Sequence, residues 1–281
     1  MTDTKKILIM GSRGMLGQDL NNIFSNDSNY EVTAWDKDEL DITNKEEVLK
    51  KLTKLSPEIV INTAAYTDVD GCEENKKLCM EVNNKAVGYL AQACKKIDAI
   101  LIHYSTDYIF NGEEKEGYRE NYNKIEPVNY YGEAKALAEK NIKRNLDKYY
   151  IIRTSWLFGK GGKNFVDTML SLAQKMDKLK VVNDQHGKPT YTIDLAERTK
   201  EIIETPEDFG IYHVTNENET TWHEFASEIF KQAKKKIKVD PCTSEEFPTK
   251  AKRPHYSSLI NTKLLKMRSW REALKDYLEV K

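Results

Sequence analysis

Lys6-Ile-Leu-Ile-Met10 runs without a break into Gly11-Ser-Arg-Gly14-Met-Leu-Gly17. The apolar run reads as a buried strand, and Met15–Phe24 reads as an amphipathic helix. Glycines between a strand and a helix permit a tight turn and let a pyrophosphate approach the backbone. The helix start adds free N–H groups and a positive dipole end. The spacing is GxxGxxG rather than GxGxxG, so the context carries the signal. Asp36 closes a second strand, Glu31–Trp35, 19 positions after Gly17, near the ~20 expected of a carboxylate that binds a ribose hydroxyl. The turn therefore points to a dinucleotide. Arg13 suits an adenosine 2′-phosphate, Asp36 suits a free 2′-hydroxyl, and Lys37 offsets Asp36. NADPH and NADH both remain open.

Outward from this turn the alternation continues. Lys45–Leu55 is predicted helical, Glu58–Ile61 a strand, Glu73–Ile97 a long helical stretch, Ala99–Tyr104 a strand, Tyr130–Asn145 a helix and Tyr149–Arg153 a strand. This rhythm predicts crossover units on a parallel sheet, a Rossmann-like doubly wound α/β fold. Beyond about residue 155 the rhythm changes. Phe158–Lys163 is predicted a flexible loop, Asn164–Met176 a helix, Leu179–Val182 a strand, Ile193–Ile203 a helix and Ile211–Val214 a strand. Thr221–Ala233 is predicted a helix with a capping box to Glu224, continued by a basic end at 234–236. Residues 240–256 are predicted an ordered loop, and Ser269–Tyr277 a closing helix. The expected division is a dinucleotide-binding domain over 1–155, with 186–214 packing back onto it. A smaller α+β substrate domain takes 156–185 and 215–281.

Composition narrows the function classes. The 281 residues suggest roughly two domains. Lys+Arg number 44 and Asp+Glu 45, a balance that offers no electrostatic footprint for nucleic acid. No run approaches the ~18 apolar residues of a membrane span, and the opening Met1–Met10 does not read as a signal peptide. Cys72, Cys79, Cys94 and Cys242 form no CxxC pair, which argues against structural zinc and suits a reducing cytosol. The expectation is a cytoplasmic monomer or homodimer acting on a small molecule, with no nucleic-acid or membrane partner.

Tyr131-Gly-Glu-Ala-Lys135 places a phenol and an ammonium on one helix face. Tyr104-Ser-Thr-Asp107 ends the preceding strand, where ligands of open α/β sheets bind. Taken with the glycine turn and Asn62-Thr-Ala-Ala65, these motifs resemble the extended short-chain dehydrogenase/reductases. The resemblance implies that Tyr131 is the acid/base, that Lys135 holds the nicotinamide ribose and lowers the phenol pKa, and that Thr106 bonds the carbonyl oxygen. The chemistry is consistent, since a free phenol near pKa 10 needs help to serve near neutrality.

Further stretches narrow it. Leu40-Asp-Ile-Thr43, Asn62–Asp70, Ser105–Gly112, Arg153-Thr-Ser-Trp-Leu-Phe-Gly159, Asn164-Phe165, Asp184–Thr190 and Lys252-Arg-Pro254 resemble the dTDP-4-dehydrorhamnose reductases, in order, over about residues 5–278. That resemblance implies reduction of a 4-keto dTDP-sugar to dTDP-L-rhamnose, a precursor of cell-surface polysaccharide. It places Gly14, Met15 and Leu16 on the phosphate turn, Asp41 and Ile42 beside adenine, and Ala64, Ala65 and Tyr66 along the nicotinamide side. It places Thr106, Asp107, Trp156, Asn164, Gln185 and Arg253 toward the substrate, with Trp156 packing on it and Arg253 clamping a diphosphate. Some members dimerise around magnesium held by glutamates. Here Asp19, Ile193 or Asp194, and Glu272 stand in those places, so no metal is expected. Two alternatives stay open. One is another nucleotide-sugar reductase or epimerase, since the turn also resembles that of GDP-fucose synthase. The other is a non-catalytic subunit like the regulatory subunit of methionine adenosyltransferase.

Overall fold

The strand Lys5–Met10 (β1) is the axis of the sheet, which we describe from a computed structural model covering residues 4–205 and 208–281. Met1–Asp3 of the opening, and Pro206 and Glu207, lie outside the described residues. Around β1 stand Tyr30–Trp35 (β2), Ile59–Asn62 (β3), Ile100–Thr106 (β4), Tyr149–Thr154 (β5) and Gly210–His213 (β6), all parallel, in the order β6-β5-β4-β3-β1-β2. β3 and β4 are almost wholly buried, as continuous apolar runs in a sheet covered on both faces must be.

The longer helices are Met15–Ser25 (α1), Lys45–Leu55 (α2), Ala86–Ile97 (α3), Tyr130–Asn145 (α4), Phe165–Leu172 (α5), Thr192–Glu204 (α6), Trp222–Gln232 (α7) and Trp270–Glu279 (α8). α2, α3 and α4 cover one face around Leu8, Val60, Leu101 and Ile151. α1 and α6 cover the other around Ile9, Ile61, Ile102 and Ile152. Strand alternation makes this division: neighbouring residues of β1, β3, β4 and β5 point to opposite helix layers. The order reverses between β1 and β3, so a crevice opens at their carboxyl ends.

A third apolar cluster, centred on Phe158, Phe225, Trp270 and Tyr277, gathers α5, α7 and α8. Two capping boxes start helices here, Thr221 with Glu224 and Ser269 with Glu272. Among the described residues no helix is long and apolar enough to cross a membrane.

Several elements differ from the sequence expectation. The helical stretch over 73–97 begins earlier, at Val69, and is interrupted at Asn75. It then passes through a π-helical turn at Glu81–Lys85 before α3. Within the π turn the buried Asn83 amide bonds both N–H and C=O of Tyr66 and so fixes the β3 loop against the helix. α5 ends at Leu172 rather than Met176. The basic end at 234–236 does not continue α7, since Lys234 takes a left-handed conformation at φ 54°. Lys238–Cys242, expected as loop at its end, is an edge strand parallel to Lys178–Val182. Its Pro241 is tolerated because an edge strand leaves one row of backbone groups unpaired.

Candidate functional site

The crevice is a cleft of about 920 Å³, the size of a small-molecule site. At one end lies the glycine turn. Gly11 has φ 74°, and a Cβ on it would lie 2.7 Å from Ala64 N. A Cβ on Gly17 would lie 2.8 Å from Ser12 Cα and closer still to Gly11 O. The turn is thus packed so tightly that only bare backbone fits. Asn44 and Asn129 cap α2 and α4 with side-chain oxygens, whereas α1 starts from Gly14 with no side-chain cap. Its first N–H groups face the cleft, a ready anion seat. The residues present fit a dinucleotide pyrophosphate.

Arg13 is exposed and forked between Asp38 at 2.5 Å and Glu39 at 3.1 Å, and these acids raise its pKa. Asp36 accepts the backbone N–H of Arg13 at 3.1 Å and of Lys37 at 2.8 Å. Asp41 is turned to Thr43, whose N–H and hydroxyl hold its carboxyl below the usual range. Gly11, Arg13, Gly14, Met15, Leu16, Gly17, Asp36, Asp41 and Ile42 line this end, and Ala64 and Ala65 the middle. Tyr66 stands off the cleft wall, its backbone held by Asn83.

The other end is built by β4 and α4. Asn129 caps α4 through Gly132 N–H at 2.8 Å, which fixes where Tyr131 begins the helix. Tyr131, Lys135 and Glu139 recur every four residues on one face of α4. His103 and Ser105 recur every two on the facing side of β4. The two periods mesh: Lys135 Nζ lies 3.2 Å from His103 Nε2, and Ser105 donates to Glu139 at 2.6 Å. Lys135 also donates to Tyr104 O at 2.5 Å. Burial lowers Lys135 to about 8, against an opposing push from Glu139. Burial, with Asp107 nearby, raises the Tyr131 phenol above its ordinary value, so it keeps its proton. Thr106 donates to Asp107 Oδ1 at 3.0 Å. The other Asp107 oxygen is buried without a partner among the described residues, and burial pushes this carboxyl up to about 7. A phenol, a hydroxyl, an acid and an amine thus meet at one strand end.

Trp156, at φ 49°, lines the cleft and stacks on Trp222 at 3.6 Å. Three expected substrate residues do not line the cleft; each supports its wall. Gln185 accepts from Trp222 Nε1 at 3.2 Å and so orients the stack. Asn164 caps α5 through Asp167 N–H and bonds Gly159 O at 2.9 Å and Gly162 O at 3.3 Å. It fixes the loop read as flexible, which Gln18 also ties to the glycine turn. Arg253 is paired with Asp70 at 3.1 Å and donates to Ala251 O. Asn62, His103, Tyr108 and Trp222 also belong to this region; in the sequence reading Asn62 and Tyr108 appear only within motifs, and none of the four has a role. For His103 a signal existed, since it shares a strand face with Ser105. Trp222 had none, because only the chain's return brings α7 to the cleft.

The family model described as "RmlD substrate binding domain" matches residues 5–281. The spore coat polysaccharide biosynthesis protein SpsK of Bacillus subtilis is 39% identical, over 98% of this chain and 97% of its own. A dTDP-4-dehydrorhamnose reductase of Aggregatibacter actinomycetemcomitans is also 39% identical, over 96% and 97%. The crystal structure of dTDP-4-dehydrorhamnose reductase from Bacillus anthracis in complex with NADP is 38% identical. It has a TM-score of 0.95 and covers 99% of this chain and 100% of that one.

Proposed function

The chain belongs to the RmlD substrate binding domain family, and from that premise we propose that it reduces the 4-keto group of dTDP-4-dehydro-L-rhamnose to dTDP-L-rhamnose, with NADPH or NADH as reductant and Tyr131 as proton donor. The observation that carries the reading is the placement of Thr106, Tyr131 and Lys135 at one end of a single cleft whose other end is the glycine turn. When bound across that turn, the coenzyme supplies the hydride.

The protein's own groups do the rest. Reduction of a ketone requires a proton on the developing alkoxide, and a neutral phenol is the form that can give it. Tyr131 is half-buried, and its raised pKa keeps the proton on the phenol. The Thr106 hydroxyl, lining the same cleft, orients the carbonyl oxygen in this reading. The Lys135 ammonium, one turn along α4, offsets the charge left on the phenolate. Residues 1–155 with 186–214 hold the coenzyme. Residues 156–185 with 215–281 hold the sugar nucleotide, with Trp156 against the substrate. Arg253, outside the cleft lining while paired with Asp70, would leave that partner for a substrate phosphate when the sugar nucleotide binds.

The test is a coupled absorbance assay. The 4-keto sugar is generated in place from dTDP-glucose by a dehydratase and an epimerase, and NADPH or NADH consumption is followed. Consumption should depend on this protein and on the epimerase. Tyr131→Phe should lower kcat by about 10²–10⁴-fold while coenzyme Kd stays within a few-fold. Full activity of that variant defeats the proton-donor role, and no consumption by coenzyme-binding protein defeats the substrate assignment.

A further inference from the structure

Asn62, His103 and Lys135 form a buried hydrogen-bonded line from the end of β3 across β4 to α4. The direction of that line is set at its far end. The backbone N–H of Ala64 donates to Asn62 Oδ1 at 3.1 Å. A backbone N–H has no lone pair, so the amide cannot turn its NH2 that way. Nδ2 therefore faces His103 Nδ1, at 3.1 Å, and donates to it. Burial, with Lys135 adding to it, keeps the His103 pKa well below its ordinary value, so the ring is neutral. A neutral imidazole that accepts at Nδ1 carries its hydrogen on Nε2. Nε2 is the atom 3.2 Å from Lys135 Nζ.

We propose that Asn62 and His103 are a positioning pair that sets the proton affinity of Lys135: the Nε2–H donates to the lone pair of the free amine and opposes the ammonium, so that Lys135 releases its proton more readily than burial alone would cause. An ammonium is donor-only, and two donors facing each other repel. The other titratable groups around Lys135 do not produce this effect. Glu139 on α4 and the Cys79 thiol from Lys76–Met80 both favour the ammonium. Glu139 is itself held by Arg153 of β5 through both oxygens. Tyr131, on the preceding turn of α4, stays protonated. Lys135 thus changes charge one turn from the proton donor instead of remaining a fixed cation. The inference rests on the reading of Tyr131 and Lys135 given above.

The experiment reads coenzyme-free protein by NMR. With ¹⁵N-histidine label, long-range ¹H–¹⁵N correlation reports the His103 tautomer, expected as Nε2–H. With ¹⁵N-lysine label, the Lys135 titration midpoint is followed against pH. Asn62→Asp keeps an acceptor for Ala64 N–H and offers a second oxygen to Nδ1. It should draw the hydrogen to Nδ1, leave Nε2 as an acceptor, and raise the Lys135 midpoint by at least about one unit, a tenfold change in affinity. His103→Met removes the N–H at similar volume. Its midpoint should also rise, whereas a purely desolvating role for His103 predicts no change or a fall. An Nδ1–H tautomer in the unmodified protein, or a midpoint that stays or falls in His103→Met, overturns the proposal. Neither readout needs turnover, so a failed reductase assay with the expected tautomer rejects the reaction alone, and turnover with the opposite tautomer rejects this inference alone.

Discussion

Gly17→Ala isolates the role of the glycine turn. The added Cβ would stand 2.8 Å from Ser12 Cα and 2.9 Å from Gly11 C, and nearer still to Gly11 O. All three are backbone atoms, so no side chain can swing away. The turn cannot retreat, because Gly11 already lies against Ala64 and Thr63, whose hydroxyl bonds Met10 O at 2.7 Å. The start of α1 must move instead, by an amount of the order of 1 Å, and a misplacement of that size costs about 10²-fold in well-oriented sites. Turnover should therefore fall by about two orders of magnitude and coenzyme Kd should rise, with roughly 1–3 kcal/mol of the stability read by urea lost to overpacking strain. Gly88→Ala is the control. Its Cβ would meet Asn141 Nδ2 at 3.5 Å, an ordinary contact, and alanine within α3 should gain up to about 1 kcal/mol of helix propensity. Coenzyme Kd is measured by fluorescence titration and folding by urea denaturation. If Gly17→Ala binds coenzyme within threefold of the parent while folded, the close-packed cradle is not what seats the ligand.

Three further outcomes follow from the same site. Lys135 is charged below and neutral above its lowered value of about 8, so kcat should be level below that pH and fall tenfold per unit above it; a limb near the ordinary lysine value of about 10.4 contradicts the burial argument. Glu139→Gln leaves the Arg153 guanidinium buried with a neutral partner, and urea denaturation at neutral pH should show a loss of about 3–5 kcal/mol. Because the Glu139 carboxyl is held below its ordinary value, its contribution is present above about pH 4.3 and lost as pH falls through the folded value, so the difference between variant and parent should shrink in acid. Asp70→Asn removes the partner that competes for Arg253, and the KM for the sugar nucleotide should fall a few-fold; an unchanged KM would leave Arg253 as a loop fastener.

What the sequence disclosed follows the range of the forces involved. β1, α2 and α4 are set by local periodicity and by caps such as Asn44 and Asn129, and their expected positions agree with the structure within a residue. The glycine turn was legible because backbone that must approach backbone tolerates little else. The π turn at 81–85 was not, since its Asn83 bonds Tyr66 across 17 positions. Gln185 and Asn164 sit in motifs beside the cleft, and motif membership cannot separate a residue that touches a ligand from one that holds up the wall. In the fold Trp222 from α7 and Tyr277 from α8 bond Gln185 and Asn164, contacts that no local pattern signals.

The buried ion pair explains why the strand ends hold their place. Glu139 takes Arg153 at 2.9 and 2.7 Å and Ser105 at 2.6 Å. Arg153 reaches His213 of β6 at 3.3 Å, and His213 meets Ile260 O at 3.1 Å. A charged pair removed from water adds little net stability over a well-packed apolar substitute. Apolar contacts, however, are non-directional and do not by themselves tie a strand end to one point on a helix. Here the hydrogen bonds fall on Ser105 and Arg153, immediately before Thr106 and shortly before Trp156. The bonds that anchor the last turns of β4 and β5 to α4 thus also fix the hydroxyl and the aromatic wall relative to Tyr131, which rides on the same helix as Glu139. The cost of burying those charges is set against the positional accuracy that the proposed transfer of hydride and proton to one carbonyl would require.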